Sequence, residues 1–305
     1  MRPYPLRKAP LLTAVAALLT AAAATAPASA APGEPGHRHG HGHGHGHGHG
    51  HGHGQPHHPH PQAYDCTDAS LLFCEDFSLL EPGDAHSPEW SADTENGTLT
   101  VEEGADTGKH LRIRTEGNGK AFLTVTDLAP PGNSFWGRVR LRVDAFPTAP
   151  DWAHWTLVEA TGEGPGYIRP LGGQFVPTAG DGGTNLWGVG ADGGPTGDWT
   201  SWQETVPAEA GVWSCVEWEM DDSDNRISVW IDGEAKPELT VDTDDHGGAD
   251  TDFLFPEFDT VKIGWQLYQG DPTPSSYDVL MDDIALSADR VGCDDRGSAG
   301  GRPRN

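Results

Sequence analysis

From Ala63 to Cys293 the chain consists of short stretches in which apolar and polar residues alternate, separated by glycine, proline, aspartate and asparagine. A period of two is typical of β-strands, because successive side chains point to opposite faces of a sheet. No stretch predicts an amphipathic helix longer than two turns, and no propeller or solenoid repeat occurs. The pattern predicts one all-β domain of about 230 residues. HLRIRT and AFLTVTD, for example, are predicted as separate strands.

A hairpin within this domain predicts its architecture. WSCVEWEMDDSDNRISVWIDGE, residues 213–234, contains two strands around a polar turn and ends in an Asp-Gly hairpin signal. It resembles a hairpin of concanavalin-like jelly rolls, which include glucanases and lectins. The resemblance implies a concanavalin-like β jelly-roll sandwich of two antiparallel sheets over residues 63–294, without implying an activity. The glucanase carboxylate pattern ExDxxE is absent, which argues against a glucanase.

Residues 1–30 have the layout of a secretory signal peptide. A basic start is followed by an alanine-rich apolar run and by the small-residue cleavage site Ala28-Ser29-Ala30. The apolar run is broken by threonine, and no later segment approaches the apolar length that a bilayer requires, so no membrane partner is expected. We therefore expect a secreted, extracellular protein.

Residues 31–62 form a histidine- and glycine-rich tract. It holds twelve of the sixteen histidines, and between His37 and His60 it contains no core-forming apolar residue. The composition predicts disorder, as it does for the tail at residues 295–305. Imidazoles at adjustable spacing can bind Zn, Ni or Cu. The tract is either a physiological chelator or a solvated spacer that binds metal incidentally.

Four cysteines fit an oxidising destination, where an even number usually indicates disulfides. The absence of a CxxC pair argues against a zinc knuckle or a redox pair. The short separation favours a bond between Cys66 and Cys74, which leaves Cys215 with Cys293. A bond between Cys74 and Cys293 ranks second among the pairings.

The chain is strongly acidic. Its formal net charge is −27, and removal of residues 1–30 would make it −30, because that segment holds three basic residues and no acidic one. Nucleic acid is therefore not an expected partner. The charge also disfavours an acidic glycan unless basic residues gather in one cleft, since exposed charges beyond about 8 Å are largely screened. We expect a monomer.

The stretch VKIGWQLYQ, residues 261–269, alternates along its length. Its apolar residues are predicted to lie in the core, and they are Val261, Ile263, Trp265 and Leu267. Its polar residues then face outward from one sheet, and they are Lys262, Gln266 and Tyr268. Gly264 would let another chain come close. The outer face of a concave sheet forms a groove, so these polar residues are candidates for a site.

Other strands add side chains of complementary chemistry. HWTLVEA places His154 outside, FWGRVRLRVD places Arg138 and Arg140 outside, and YIRPLGGQF adds Arg169 and Gln174. Arginine and glutamine can bind a carboxylate, whereas histidine and tyrosine can move protons. A lyase of uronic-acid glycans needs both kinds of residue. Each residue also has a purely structural interpretation: the histidine can hydrogen-bond a loop, the tyrosine can cap an edge of the sheet, and alternating arginines often form a solvated face.

Several short motifs together resemble one family. They are CEDF, FWGRV, HWT, GGQ, WSCVEW, KIGWQLYQ, and MDDIAL with a closing GC. They resemble secreted microbial proteins with a polysaccharide-lyase-like core, related to glucuronan lyases and to a cellulose-induced fungal protein. VKIGWQLYQ is also similar to the alginate-lyase motif YFKAGVYNQ, although an added residue shifts the register before Tyr268. The alginate-lyase motifs RSELR and QIH are not reproduced.

These observations predict a polysaccharide partner and β-elimination on a uronic-acid glycan. His154 or Tyr268 would be the base and Tyr268 the acid. Arg138, Arg140 and Gln174 would surround the carboxylate. The main alternative is a non-catalytic carbohydrate-binding module in the same groove, which the negative charge favours. A metal-scavenging surface protein is a third class, for which the histidine tract alone would suffice.

Eleven tryptophans offer flat faces that suit sugar rings. Trp152, Trp187, Trp199 and Trp202 lie in segments rich in glycine and aspartate, and one or more of them is predicted to stack on sugar. Trp213, Trp218 and Trp230 have alternating strand contexts that predict packing.

A structural Ca²⁺ is also expected, because related jelly rolls often join their first and last strands through a hard cation. Asp76 in CEDF and Asp282 in MDDIAL occupy matching places. Ser78 stands where a further carboxylate would help, since Ca²⁺ takes six to eight oxygens.

Overall fold

A computed structural model describes residues 66, 68, 70–104, 108–164, 166–192, 197, 200, 205–248 and 254–293. This part of the chain contains thirteen strands and two short 3₁₀ turns, at Pro131–Asn133 and Pro237–Leu239. The strands are β1 (Leu71–Glu75), β2 (Gly83–Asp84), β3 (Ser91–Gly104), β4 (Gly108–Val125), β5 (Phe135–Val143), β6 (His154–Glu163), β7 (Tyr167–Val176), β8 (Thr184–Asp192), β9 (Ser214–Asp221), β10 (Arg226–Ile231), β11 (Glu234–Ala235), β12 (Glu257–Leu267) and β13 (Ser276–Ser287). No helix in these ranges is long and apolar enough to cross a membrane.

The strands form two layers of a jelly-roll-like sandwich, which confirms the predicted fold class. The first layer has the order β11-β10-β9-β5-β13-β4, and the second has the order β4-β12-β6-β7-β8. All strand pairs are antiparallel. β4 takes part in both layers, because residues 111–116 pair with β13 and residues 120–125 pair with β12. The hydrogen-bond ladders therefore continue through one curled sheet.

Glycines allow β3 and β4 to bend together from one layer to the other. The register of this pair shifts between Glu95 and Gly97, opposite the sequence EGNG at residues 116–119. A Cβ atom on Gly97 would lie 2.6 Å from the Lys120 carbonyl oxygen, and one on Gly119 would lie 2.5 Å from that of Asn96. Side chains cannot occupy either place without moving backbone. HLRIRT and AFLTVTD are therefore two halves of one bent strand.

The apolar residues of VKIGWQLYQ are fully buried in the core, as the alternation predicts. Trp155 and Trp265 stack at a centroid distance of 5.9 Å. Gly264 is required on the opposite face, since a Cβ atom there would lie 2.7 Å from the Phe122 Cα atom. The prediction that Trp187 is available to sugar is wrong: its side chain is only 5% exposed, because the alternation of β8 directs it inward, 5.2 Å from the Trp155 ring.

Both predicted disulfides are present, Cys66–Cys74 and Cys215–Cys293. They are compatible with an extracellular location. Cys215 lies on β9, so the second bond ties the segment after β13 to the first layer. The predicted signal peptide, the histidine tract and the tail lie outside the described residues, as do Trp199 and Trp202.

Deletion of residues 37–60 is expected to remove most Ni²⁺ or Zn²⁺ binding and to leave the metal-free melting temperature unchanged. The reason is that this segment has the histidines to bind metal but no apolar residue to pack on the domain. Calorimetric titration and thermal unfolding in chelator would measure the two effects. A large loss of metal-free stability would show that the tract packs on the domain.

Candidate functional site

The second layer gathers polar side chains on its outer face, next to a small recess. His154 on β6 lies opposite Gln174 on β7 in the strand pairing. Arg169 comes from the same strand β7, and Gly188 on β8 leaves space beside Thr200. We call this the β6–β8 recess; its lining includes His154, Arg169, Gln174, Gly188, Thr200 and Thr205.

Tyr268, which directly follows β12, is held by Arg169. The Arg169 guanidinium donates a hydrogen bond to the Tyr268 hydroxyl oxygen. The guanidinium carbon also lies 5.8 Å from the centroid of the tyrosine ring. A cationic donor on a phenol oxygen stabilises that oxygen when it loses its proton. The pair can therefore support proton transfer by tyrosine.

His154 lies parallel to Tyr268. The two ring centroids are 5.9 Å apart, and the ring planes differ by 4°. The side-chain nitrogen of Gln269 is 2.8 Å from His154 Nδ1. With the amide as donor, Nδ1 accepts, and the proton of a neutral His154 is carried on Nε2. His154 then offers an N–H donor rather than a free basic nitrogen.

A charged network continues from the recess along the same face. Lys262 Nζ lies 3.0 Å from an Asp93 carboxylate oxygen and 3.6 Å from one of Glu159. Burial raises the pKa of Glu159, against the opposing charges of Lys262 and Arg169. Burial alone would lower the pKa of Lys262, but its hydrogen bond to Asp93 and the charge of Glu159 raise that pKa overall. Lys262 is thus engaged by protein carboxylates.

The structure brings together four of the predicted site residues, namely His154, Tyr268, Arg169 and Gln174. Lys262 and Gln266 follow on β12, where Gln266 pairs with Thr156 of β6 and Lys120 of β4. Sequence reasoning missed Glu159 and the role of Gln269. Glu159 lies in HWTLVEA and Gln269 in VKIGWQLYQ, and alternation from His154 with one bulge would have placed Glu159 on this face.

Arg138 and Arg140 do not join this cluster, because they lie on β5 in the first layer. Arg138 is only 4% exposed and donates to the carbonyl oxygens of Asp283 and Gly292. Arg140 lies 3.5 Å from the Asp283 carboxylate. Alternation correctly predicts the face of a strand on which each arginine lies, but it does not indicate to which layer the strand belongs.

The predicted calcium residues are on paired strands: Asp76 directly follows Glu75, which pairs with Ile284, two residues after Asp282. Burial, followed by the charge of Asp283, raises the pKa of Asp282 to about 7. A divalent cation would relieve this repulsion. The described ranges contain no group of three or more His, Cys, Asp or Glu side chains able to hold a metal, so Ca²⁺ would need carbonyl and water oxygens as well. Calcium at Asp76 and Asp282 stays a prediction.

In chelator, the stability contribution of Asp282 is expected to decline as the pH rises. Its pKa is about 7 in the folded protein and 3.8 in the reference state, so folding binds the proton more tightly. This contribution is complete below the lower value and is lost as the pH rises through the higher one. Asp282→Asn should remove that pH-dependent part, as measured by urea unfolding. If Ca²⁺ binds here, it should raise the melting temperature at pH values above the folded pKa in wild type only. Identical pH slopes in both proteins would contradict the prediction.

Comparison with known proteins identifies a related family model and fold. Residues 194–289 match the polysaccharide-lyase-like family model described as "Cip1-like, core domain". The solved structure of the cellulose-induced protein Cip1 is 19% identical, with a TM-score of 0.51, over 73% of this chain and 100% of that chain. A Trypanosoma rangeli sialidase in complex with 2,3-difluorosialic acid is 18% identical, with a TM-score of 0.43, over 74% of this chain and 32% of that chain. No curated protein sequence matches.

The family model and the Cip1 structure confirm the polysaccharide-lyase-like resemblance, and the Cip1 structure confirms the jelly-roll-like fold. The residues matched by the family model include β12 and Tyr268. His154, Arg169 and Gln174 precede the matched residues. The two sides of the candidate site therefore come from different parts of the chain, and only one of them is within the family match.

Proposed function

We propose that this protein is a secreted lyase that cleaves uronic-acid polysaccharide by β-elimination. The observation that carries the proposal is the Arg169–Tyr268 hydrogen bond beside the parallel ring of His154. Three kinds of group meet there: a cation, an N–H donor and a phenol. These are the groups that carboxylate binding and proton transfer require. The polysaccharide-lyase-like family match supports the substrate class.

The first requirement of the reaction is to acidify the C5 proton of the sugar. Arg169 and the Nε2–H group of His154 would partly neutralise the negative charge of a uronate carboxylate placed near them. Electron density that develops at C5 can then spread into the carboxylate group. Arg169 is deeply buried, and burial strengthens its electrostatic interaction with a bound anion.

Tyr268 is the residue best placed to move the proton. As base, Tyr268 is deprotonated, with Arg169 donating to its oxygen. This phenolate oxygen takes the C5 proton, the C5–H electron pair forms the C4–C5 double bond, and the C4–O4 bond breaks with its electrons on O4. Tyr268 then returns the proton to O4. With the Gln269 amide as donor to His154 Nδ1, the other ring nitrogen of a neutral His154 holds the proton, which favours Tyr268 among the two bases expected from the sequence.

The alternative is a binding module that uses the same face without catalysis. The net charge of −27 and the engagement of Lys262 by Asp93 and Glu159 both favour it, because they limit the attraction of an acidic polymer. A screen against glucuronan, alginate, pectin, xylan and cellulose would separate the functions. A lyase yields products that absorb in the ultraviolet from at least one uronate polymer, whereas a module binds and yields none. No binding and no product with any polymer would contradict both.

A further inference from the structure

The β6–β8 recess contains two buried polar atoms whose hydrogen-bonding capacity is unused. Gln174 is 6% exposed, and its Oε1 atom has no hydrogen-bond partner in the described structure. The Thr205 hydroxyl oxygen, in the same recess, has none either. Buried polar groups in folded proteins are nearly always satisfied by protein, water or a ligand. Two such atoms in one recess therefore indicate that something else binds there.

The chemistry of the atoms restricts what that group can be. An amide oxygen only accepts hydrogen bonds, whereas a threonine hydroxyl can donate or accept. A carboxylate has no proton to donate, so it cannot satisfy Gln174 Oε1. A sugar hydroxyl can donate to Gln174 and accept from Thr205 at the same time.

The shape of the recess also favours a small group. Gly188 forms part of its wall, where a Cβ atom would lie 3.1 Å from the Thr200 hydroxyl oxygen. Gly173 of β7 and Gly190 of β8 also line the recess, and they have no side chains either. The strands thus leave space on this face. Among the described residues that line the recess, Arg169 is the only arginine or lysine.

We propose that the β6–β8 recess binds a ring hydroxyl of the uronosyl residue and that Gln174 is a specificity residue for this hydroxyl. This assignment differs from the expectation that Gln174 surrounds the carboxylate. It rests on the proposed function, because Arg169 is taken to bind the carboxylate of the same sugar. The ligand class is a uronosyl residue with an unsubstituted hydroxyl at the edge that enters the recess.

Binding of two matched polymers tests the assignment. One is the uronate polymer selected by the screen, and the other is the same polymer with its carboxylates reduced to primary alcohols. Gln174→Met removes the amide and keeps a similar volume. It is expected to weaken binding of both polymers by a similar factor of about 5 to 10, as for loss of one hydrogen bond between neutral groups. Thr205→Val should act in the same direction.

Arg169→Met is the converse control, expected to weaken binding of the uronate polymer far more than binding of the reduced one. The inference is overturned if Gln174→Met affects the uronate polymer alone, because Gln174 would then contact the carboxylate. It is also overturned if binding of both polymers is unchanged. Failure of wild type to bind any uronate polymer would instead overturn the proposed function. The melting temperature of Gln174→Met should not fall, since the variant removes an unsatisfied buried acceptor.

Discussion

Tyr268→Phe is expected to lower the rate of elimination by about 10²–10⁴-fold while binding of the polysaccharide persists. The substitution removes the hydroxyl that Arg169 contacts and keeps the ring that lies parallel to His154. The measurement is the initial rate of ultraviolet-absorbing product formation, together with the dissociation constant of the same polymer.

A control for Tyr268→Phe is Tyr277→Phe. Tyr277 lies on β13, its ring is in the core, and its hydroxyl has no hydrogen-bond partner among the described residues. It should retain the wild-type rate. If Tyr268→Phe is as fast as wild type, Tyr268 does not transfer the proton. If Tyr268→Ala weakens binding in a protein that forms no product, a stacking role in a binding module is supported.

Glu217→Gln is expected to lower the free energy of unfolding by about 2–3 kcal/mol, as for loss of hydrogen bonds to a buried carboxylate. The Glu217 carboxylate is 0% exposed. It accepts two hydrogen bonds from Arg290, at 3.2 and 2.9 Å, and one from the Gly292 backbone N–H at 2.8 Å. The neutral amide cannot accept all three, and the Arg290 charge loses its partner.

The matched control is Glu219→Gln on the same strand and face. Glu219 is partly exposed, and its closest arginine nitrogen, on Arg226, is 4.0 Å away. Burial raises the pKa of Glu219, so loss of its charge should change stability by less than about 1 kcal/mol. Urea unfolding of both variants would compare them. Equal effects would contradict the importance assigned to the Arg290–Glu217 pair.

The sequence was most informative where the pattern within a single strand was sufficient for a prediction. In VKIGWQLYQ, alternation predicted both the buried residues and the outward residues, because the sandwich has one core and β12 has a paired strand on each side. Two disulfides were also predicted correctly. The single bent strand β4 was not predicted, because the glycine-rich segment at its bend is also typical of a turn between two separate strands.

The site was harder to predict, because it depends on pairing between strands. His154 and Gln174 are twenty residues apart in sequence but face each other across β6 and β7. The arginines of β5 had the right chemistry and lay in the other layer. Trp187 looked like a loop residue because its surroundings are rich in glycine, yet those glycines are part of strand β8. Local pattern does not determine which strands become neighbours.

The masses of the products provide the most direct test of the central claim, that Tyr268 and Arg169 carry out β-elimination. Elimination leaves a C4–C5 double bond on the new end, so a product oligosaccharide is lighter by one water than the hydrolysis product of the same length. We predict that wild type releases such dehydrated oligosaccharides from a uronate polymer and that Tyr268→Phe and Arg169→Met release almost none. Hydrated products, or a polymer that is bound and remains intact, would contradict the account.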